Sequence, residues 1–133
     1  MDIIFENEVY EIFGAAIDVH KVLGPGFLEA VYQEALELEL SKRGIPFESQ
    51  KKLQITYKGI TLKKEYIADL ICHHTIIIEI KSVKEVAPVH KAQVINYLNI
   101  TNLPLGLLVN FGSYPKLERY RMVQTKNFNY INL

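Results

Sequence analysis

One cysteine and no tryptophan stand among the 133 residues of this chain. A lone thiol, Cys72, cannot form an internal disulfide, and it leaves no thiolate cluster for zinc or an iron–sulfur centre. It fits a reducing, cytoplasmic setting. No apolar run is long enough to cross a bilayer. The opening Met1-Asp2-Ile3-Ile4-Phe5-Glu6 is acidic and soon polar, unlike a secretory signal, so no membrane partner is expected. Internal repeats, low-complexity stretches and linkers are also missing. What is present, 49% hydrophobic and 23% charged residues, is an ordinary globular composition. The length suits one domain over 1–133 with a real core and is too short for two.

Net charge is absent as well, with 15 basic and 15 acidic side chains. Their distribution is uneven. Residues 1–48 hold ten Asp or Glu and three Lys or Arg, a balance of −7; residues 49–133 hold five and twelve, a balance of +7. A basic surface on the second part would suit phosphates. Acidic outer faces on two helices, with lysines protecting strand edges, would give the same count.

Periodicity supplies the elements. Residues 4–22 predict a helix with Val9, Ile12, Phe13, Ala16 and His20 on one face, ended by Gly24-Pro25-Gly26. A second helix runs from about Phe27 to Arg43 and closes at Gly44. Its predicted buried stripe is Leu28, Val31, Tyr32, Ala35 and Leu36, with Glu34 and Glu37 toward the other side. The period then falls to two. Lys52–Tyr57, a turn at Lys58-Gly59 and Thr61–Cys72 form a hairpin. His73-His74 reads as a turn before a near-continuous apolar strand, Thr75–Lys81. Pro88 opens a third helix over 88–101, with His90 exposed at its start. Leu105–Phe111 and Leu117–Gln124 are the last strands; residues 125–133 carry no clear pattern. The order is α-α-β-β-β-α-β-β: a mixed α/β (α+β) fold with helices on a mixed sheet. The Leu105 strand runs parallel to the Thr75 strand after a right-handed crossover.

Two acids stand out against this background. Asp69 lies in the second strand of the hairpin, and Glu79-Ile80-Lys81 ends the next strand. Glu79 and Lys81 share a face. Charges set into such apolar strands are costly unless paired. Two carboxylates and an ammonium suggest a divalent cation held by oxygen ligands with a lysine beside it. The competing arrangement is a buried ion pair of one acid with Lys81, which leaves the second acid unpaired.

Asp69, Glu79-x-Lys81 and the elements around them resemble the core of PD-(D/E)XK nucleases, a restriction-endonuclease-like fold. Ile17-Asp18-Val19-His20-Lys21, with Leu23 through Tyr32, is similar to the signature of the GxxExxY family within that superfamily, through Gly26, Glu29 and Tyr32. Gln93 and Tyr97 resemble the QxxxY motif of RecB-type exonucleases. The likeness covers about residues 5–123. The chain departs from the pattern at Ala68, where the superfamily label has proline.

The resemblance implies a metal-dependent nuclease, with DNA as substrate. Mg²⁺ or Mn²⁺ would sit on Asp69 and Glu79 with the Ile80 carbonyl, and Lys81 would orient water or neutralise the scissile phosphate. Glu29 would complete the shell directly or through water; the plainer alternative is an acid favouring the start of its helix. His20 would correspond to a metal-binding histidine of RecB-type enzymes, although a lone histidine on an apolar face is more often a satisfied core residue. Gln93 and Tyr97, four apart on one helix face, would contact the DNA backbone or support the Lys81 end of the site. So small a core also implies a homodimer or a partner protein. The rival function is a catalytically idle nuclease fold serving as a binding or accessory module in a nucleic-acid-processing complex. A junction-resolvase-like dimer is a third.

Overall fold

The computed structural model describes residues 5–126. The elements are α1 (Glu6–Leu23), α2 (Glu29–Lys42), β1 (Phe47–Tyr57), β2 (Ile60–Cys72), β3 (Ile76–Lys81), α3 (Pro88–Thr101), β4 (Leu105–Asn110) and β5 (Glu118–Val123). This is the order read from the sequence, with β1 beginning five residues earlier. The unpatterned stretch 127–133 and the first predicted helical residue, at 4, lie outside the described residues.

The sheet order is β1-β2-β3-β4-β5. Only β3 and β4 pair in parallel, as a helical crossover requires; the other neighbours are antiparallel. Each face carries its own core. On one side Leu70, Cys72, Ile76, Ile78, Ile80, Leu107 and Val109 meet Ile12, Ala16, Tyr32, Leu36 and Leu40 of α1 and α2. On the other, Tyr66, Ala68, Ile71, Ile77, Leu108 and Met122 meet Val94 and Leu98 of α3. A β-carbon at Gly106 would fall 2.7 Å from Val94 Cγ1, so glycine lets α3 lie close on β4.

Helix α1 buries Val9, Ile12, Ala16 and His20 as its spacing predicts, whereas Phe13 is only half-buried against the same core. Helix α2 differs from expectation. Its buried stripe is Tyr32, Leu36 and Leu40, while Leu28 and Val31 are exposed. Leu28 precedes the helix as its N-cap, so it takes no part in the helical face. Tyr32, buried as predicted, is the anchor: it stacks on Phe111 at 4.6 Å between ring centroids. At the far end Arg43 ties α2 to α1 through Asp18 at 2.7 Å and Glu11 at 3.3 Å. His73 and His74 form the predicted turn, both with positive φ. His90 is half-buried rather than exposed, since its Nδ1 accepts the Ala87 N–H at 3.1 Å and caps α3.

Candidate active site

The β2–β3 ladder is short. It pairs Cys72 with Ile76, Ile71 with Ile77 and Leu70 with Ile78, then stops. The next pair in that register would be Asp69 and Glu79. Instead the strands part, and an Asp69 carboxylate oxygen accepts the Ile80 N–H at 2.8 Å. Across the hairpin, Gln50 stands opposite Asp69 without pairing and has φ of 49°.

Alternation slips at this point. Tyr66 and Ala68 belong to the α3 core, and so does Ile71; Leu70 and Cys72 belong to the α1/α2 core. A strict period of two would put 68 and 70 on one face. Strict alternation would also put Ile67, Asp69 and Ile71 on one face, and they do not share one, because β2 turns over at Asp69. The slip is held by Gln33 of α2, whose amide donates to the Asp69 carbonyl and to Glu37, each at 2.8 Å.

Glu79 points toward α3. Its carboxylate accepts the Tyr66 hydroxyl and lies within hydrogen-bonding reach of Asp69. Burial, then the Asp69 charge, pushes the Glu79 carboxyl up to about 8, against the opposing pull of Tyr66 and Lys81. Tyr66 is pushed well above the usual phenol range by its own burial and by Glu79. Its ring stacks on Tyr97 with centroids 3.5 Å apart, and the Tyr97 hydroxyl accepts from Gln93 at 3.4 Å. Gln93 and Tyr97 thus connect to the Glu79 end of the site, through Tyr66, rather than to the Lys81 end. Sequence reasoning missed Tyr66, because a tyrosine in an amphipathic strand reads as core. Its place three residues before Asp69 was the available signal.

Glu29 is exposed at the start of α2. It lines a cleft of about 560 Å³ together with Gln33, Glu37, Gln50, Asp69 and Ile80. Glu79 does not line it. The sheet separates Glu29, on the α2 side, from Glu79, on the α3 side, with Asp69 at the crossing. Among the described residues no three His, Cys, Asp or Glu side chains gather closely enough to hold an ion. The five-member ligand set of Asp69, Glu79, Ile80, Glu29 and His20 is therefore not assembled. His20 is the clear correction. Its Nε2 sits 2.7 Å from the Ser113 carbonyl, and it lines a different cleft with Pro115 and Arg119. It is a satisfied core residue. Tyr32 also serves structure, donating to the Gly24 carbonyl and accepting the Phe27 N–H, which fixes the α1–α2 turn.

The donor chemistry of the remaining pair fits a hard divalent cation. Two neighbouring carboxylates, one of them driven toward its protonated form, form a site that a cation would relieve, and Mg²⁺ keeps several waters of its own. Lys81 follows on the Glu79 face, half-buried. Beyond it the chain is fixed by Asn110, a fully buried residue that sequence reasoning passed over. Its Oδ1 accepts the Val83 and Gly112 N–H groups at 2.9 and 3.1 Å, and its Nδ2 donates to Glu118 at 2.8 Å. A β-carbon at Gly112 would meet the Val83 carbonyl oxygen at 2.3 Å, so only glycine admits this packing.

A family model described as the PD-(D/E)XK nuclease superfamily matches residues 6–122. The crystal structure of SSO0001 is similar over 90% of this chain and 60% of that one, with a TM-score of 0.56 and 22% identity. The chain thus spans less than two thirds of that structure's length, and at this identity the likeness concerns the fold alone. No curated protein matches the chain. No helix among the described residues is long and apolar enough to cross a membrane.

Proposed function

This chain belongs to the PD-(D/E)XK nuclease superfamily, and from that premise we propose that it is a metal-dependent phosphodiesterase acting on DNA. The observation that carries this reading is the meeting of Asp69 and Glu79 where β2 and β3 part. Asp69 and Glu79, with the Ile80 carbonyl, would hold Mg²⁺ or Mn²⁺. Bound there, the cation supplies activation of water and neutralisation of phosphate charge. Lys81 places a second positive charge on the Glu79 face, suited to the charge that builds on the phosphate during in-line attack. Tyr66 orients Glu79, and Gln33 holds the Asp69 backbone; both are positioning residues. Glu29, across the cleft from Asp69, would act on water rather than on the cation directly. Within the superfamily, Gly26, Glu29 and Tyr32 support a place in the GxxExxY branch. Small size supports action as a homodimer or with a partner protein.

The engagement of both carboxylates, by Tyr66 and by the Ile80 N–H, favours a second reading: a nuclease fold kept as an idle accessory module. Purified wild type and Glu79→Ala, incubated with single-stranded, duplex and branched DNA and with RNA in Mg²⁺ and then Mn²⁺, separate the two. The nuclease reading expects chelator-sensitive cleavage that falls at least about 10²-fold in Glu79→Ala. Equal cutting by both proteins, or none by either, makes the accessory role the better reading.

A further inference from the structure

The β1–β2 hairpin outgrows the sheet. Its inner part, Leu70–Cys72, is paired with β3 and buried, whereas every residue from Thr56 to Glu65 is exposed. The exposed part, from Glu65 to the turn at Gly59, spans six residues. At about 3.3 Å per residue that is roughly 20 Å, more than the B-form major groove is deep.

The arm is also charged in one sense. Residues 51–65 hold five lysines (51, 52, 58, 63 and 64) against one acid, Glu65, in a chain whose net charge is zero. Its apolar residues are unusual for a strand edge kept merely soluble: Tyr57 is 59%, Ile60 68% and Leu62 39% exposed. Edge protection accounts for lysine but not for exposed aromatic and aliphatic side chains beside it. The base of the arm is Gln50, which lines the same cleft as Asp69 and Glu29. The opposite wall, Glu29, Glu34 and Glu37 of α2, is acidic and would repel phosphates. The attractive side of the cleft is therefore the arm.

We propose that the β1–β2 arm docks in the major groove of duplex DNA, delivering a strand to Asp69 at its base. A two-stranded ribbon fits the B-form major groove. Lys58, Lys63 and Lys64 take phosphates, and Tyr57, Ile60 and Leu62 meet sugars and thymine methyl groups. The deep, narrow major groove of A-form RNA excludes such an arm. The proposal rests on the nuclease reading only for the choice of nucleic acid as partner.

The test measures binding of a labelled 30-base-pair DNA duplex and a duplex RNA of matched sequence across a salt series. Glu79→Gln protein is used throughout, so nothing is cut. Lys58→Gln/Lys63→Gln/Lys64→Gln in that background should lower the slope of log affinity against log salt by about 2.7 and weaken DNA binding at 0.1 M salt on the order of 10²-fold. Circular dichroism shows whether the variant remains folded; if it does not, the three single variants, each expected to lower the slope by about 0.9, decide. An unchanged slope overturns the proposal, as does equal affinity for the RNA duplex. Unchanged binding together with a shift in oligomeric state by light scattering also overturns it, in favour of a second copy on the arm. The outcome is separable from that of the nuclease assay. Glu79-dependent cleavage with an unchanged slope discards the arm and keeps the nuclease; a changed slope with no cleavage does the reverse.

Discussion

Two half-buried glutamates on the same sheet, Glu79 on β3 and Glu118 on β5, have opposite surroundings. Burial pushes both toward the protonated form. For Glu118 that push is outweighed by donors: the Tyr120 hydroxyl, the Asn110 amide at 2.8 Å and the Val86 N–H at 3.0 Å. Its carboxyl is held below the usual range. Glu79 has one donor, Tyr66, and a second carboxylate beside it, and it is raised to about 8. A carboxylate surrounded by donors is already satisfied and serves the fold. One set against another carboxylate waits for a positive charge from outside. Lys91, seated 3.7 Å above the Tyr120 ring, adds to the satisfied cluster.

The contrast can be broken most forcefully at its structural end. Asn110→Ala strips partners from Glu118 and from the Val83 and Gly112 N–H groups, and should cost about 2–4 kcal/mol in urea unfolding. Glu79→Gln should leave metal-free stability equal or higher at pH 8. If both variants lose stability alike, the two glutamates do not differ in kind. A gentler probe adds the missing charge. Millimolar Mn²⁺ should raise the melting temperature of wild type, by the equivalent of about 2.7 kcal/mol at a hundredfold excess over Kd. Asp69→Ala should show no such shift, and Glu118→Gln should keep it.

A third probe is the pH slope of the metal-free protein. Glu79, raised above its unfolded value, favours the folded state most at low pH, and that contribution is lost as pH climbs from about 4.5 toward 8, by at most about 1.4 kcal/mol per pH unit. Glu118, lowered, contributes above its unfolded value and loses that contribution as pH falls below it. Urea midpoints from pH 5 to 8 should decline in wild type and flatten in Glu79→Gln; parallel curves would refute the assignment.

Much of this was legible before any coordinates. Hydrophobic period gave the strands and α1, Pro88 marked the start of α3, and the apolar setting of Asp69 and Glu79 marked them as expensive. The slip at Asp69 was not legible, because it depends on the left-handed Gln50 across the hairpin and on Gln33 from another layer. Pattern within one strand contains neither. The division of Glu29 from Glu79 followed from the same slip. Asn110 was hidden for a different reason: one polar residue inside the predicted strand Leu105–Phe111 carries no signal of its own, and its value lies in loops that only folding brings to it.

The tyrosine pair beneath Glu79 has an optical meaning. The chain has no tryptophan to mask the emission of its eight tyrosines, and one of the two closely stacked Tyr–Tyr rings, Tyr66, bonds the glutamate that a cation would claim. The Tyr66 part of the near-ultraviolet circular dichroism and tyrosine fluorescence therefore reports on the acid pair. The molecule carries its own chromophore at the position where its chemistry is to be watched, with no label required.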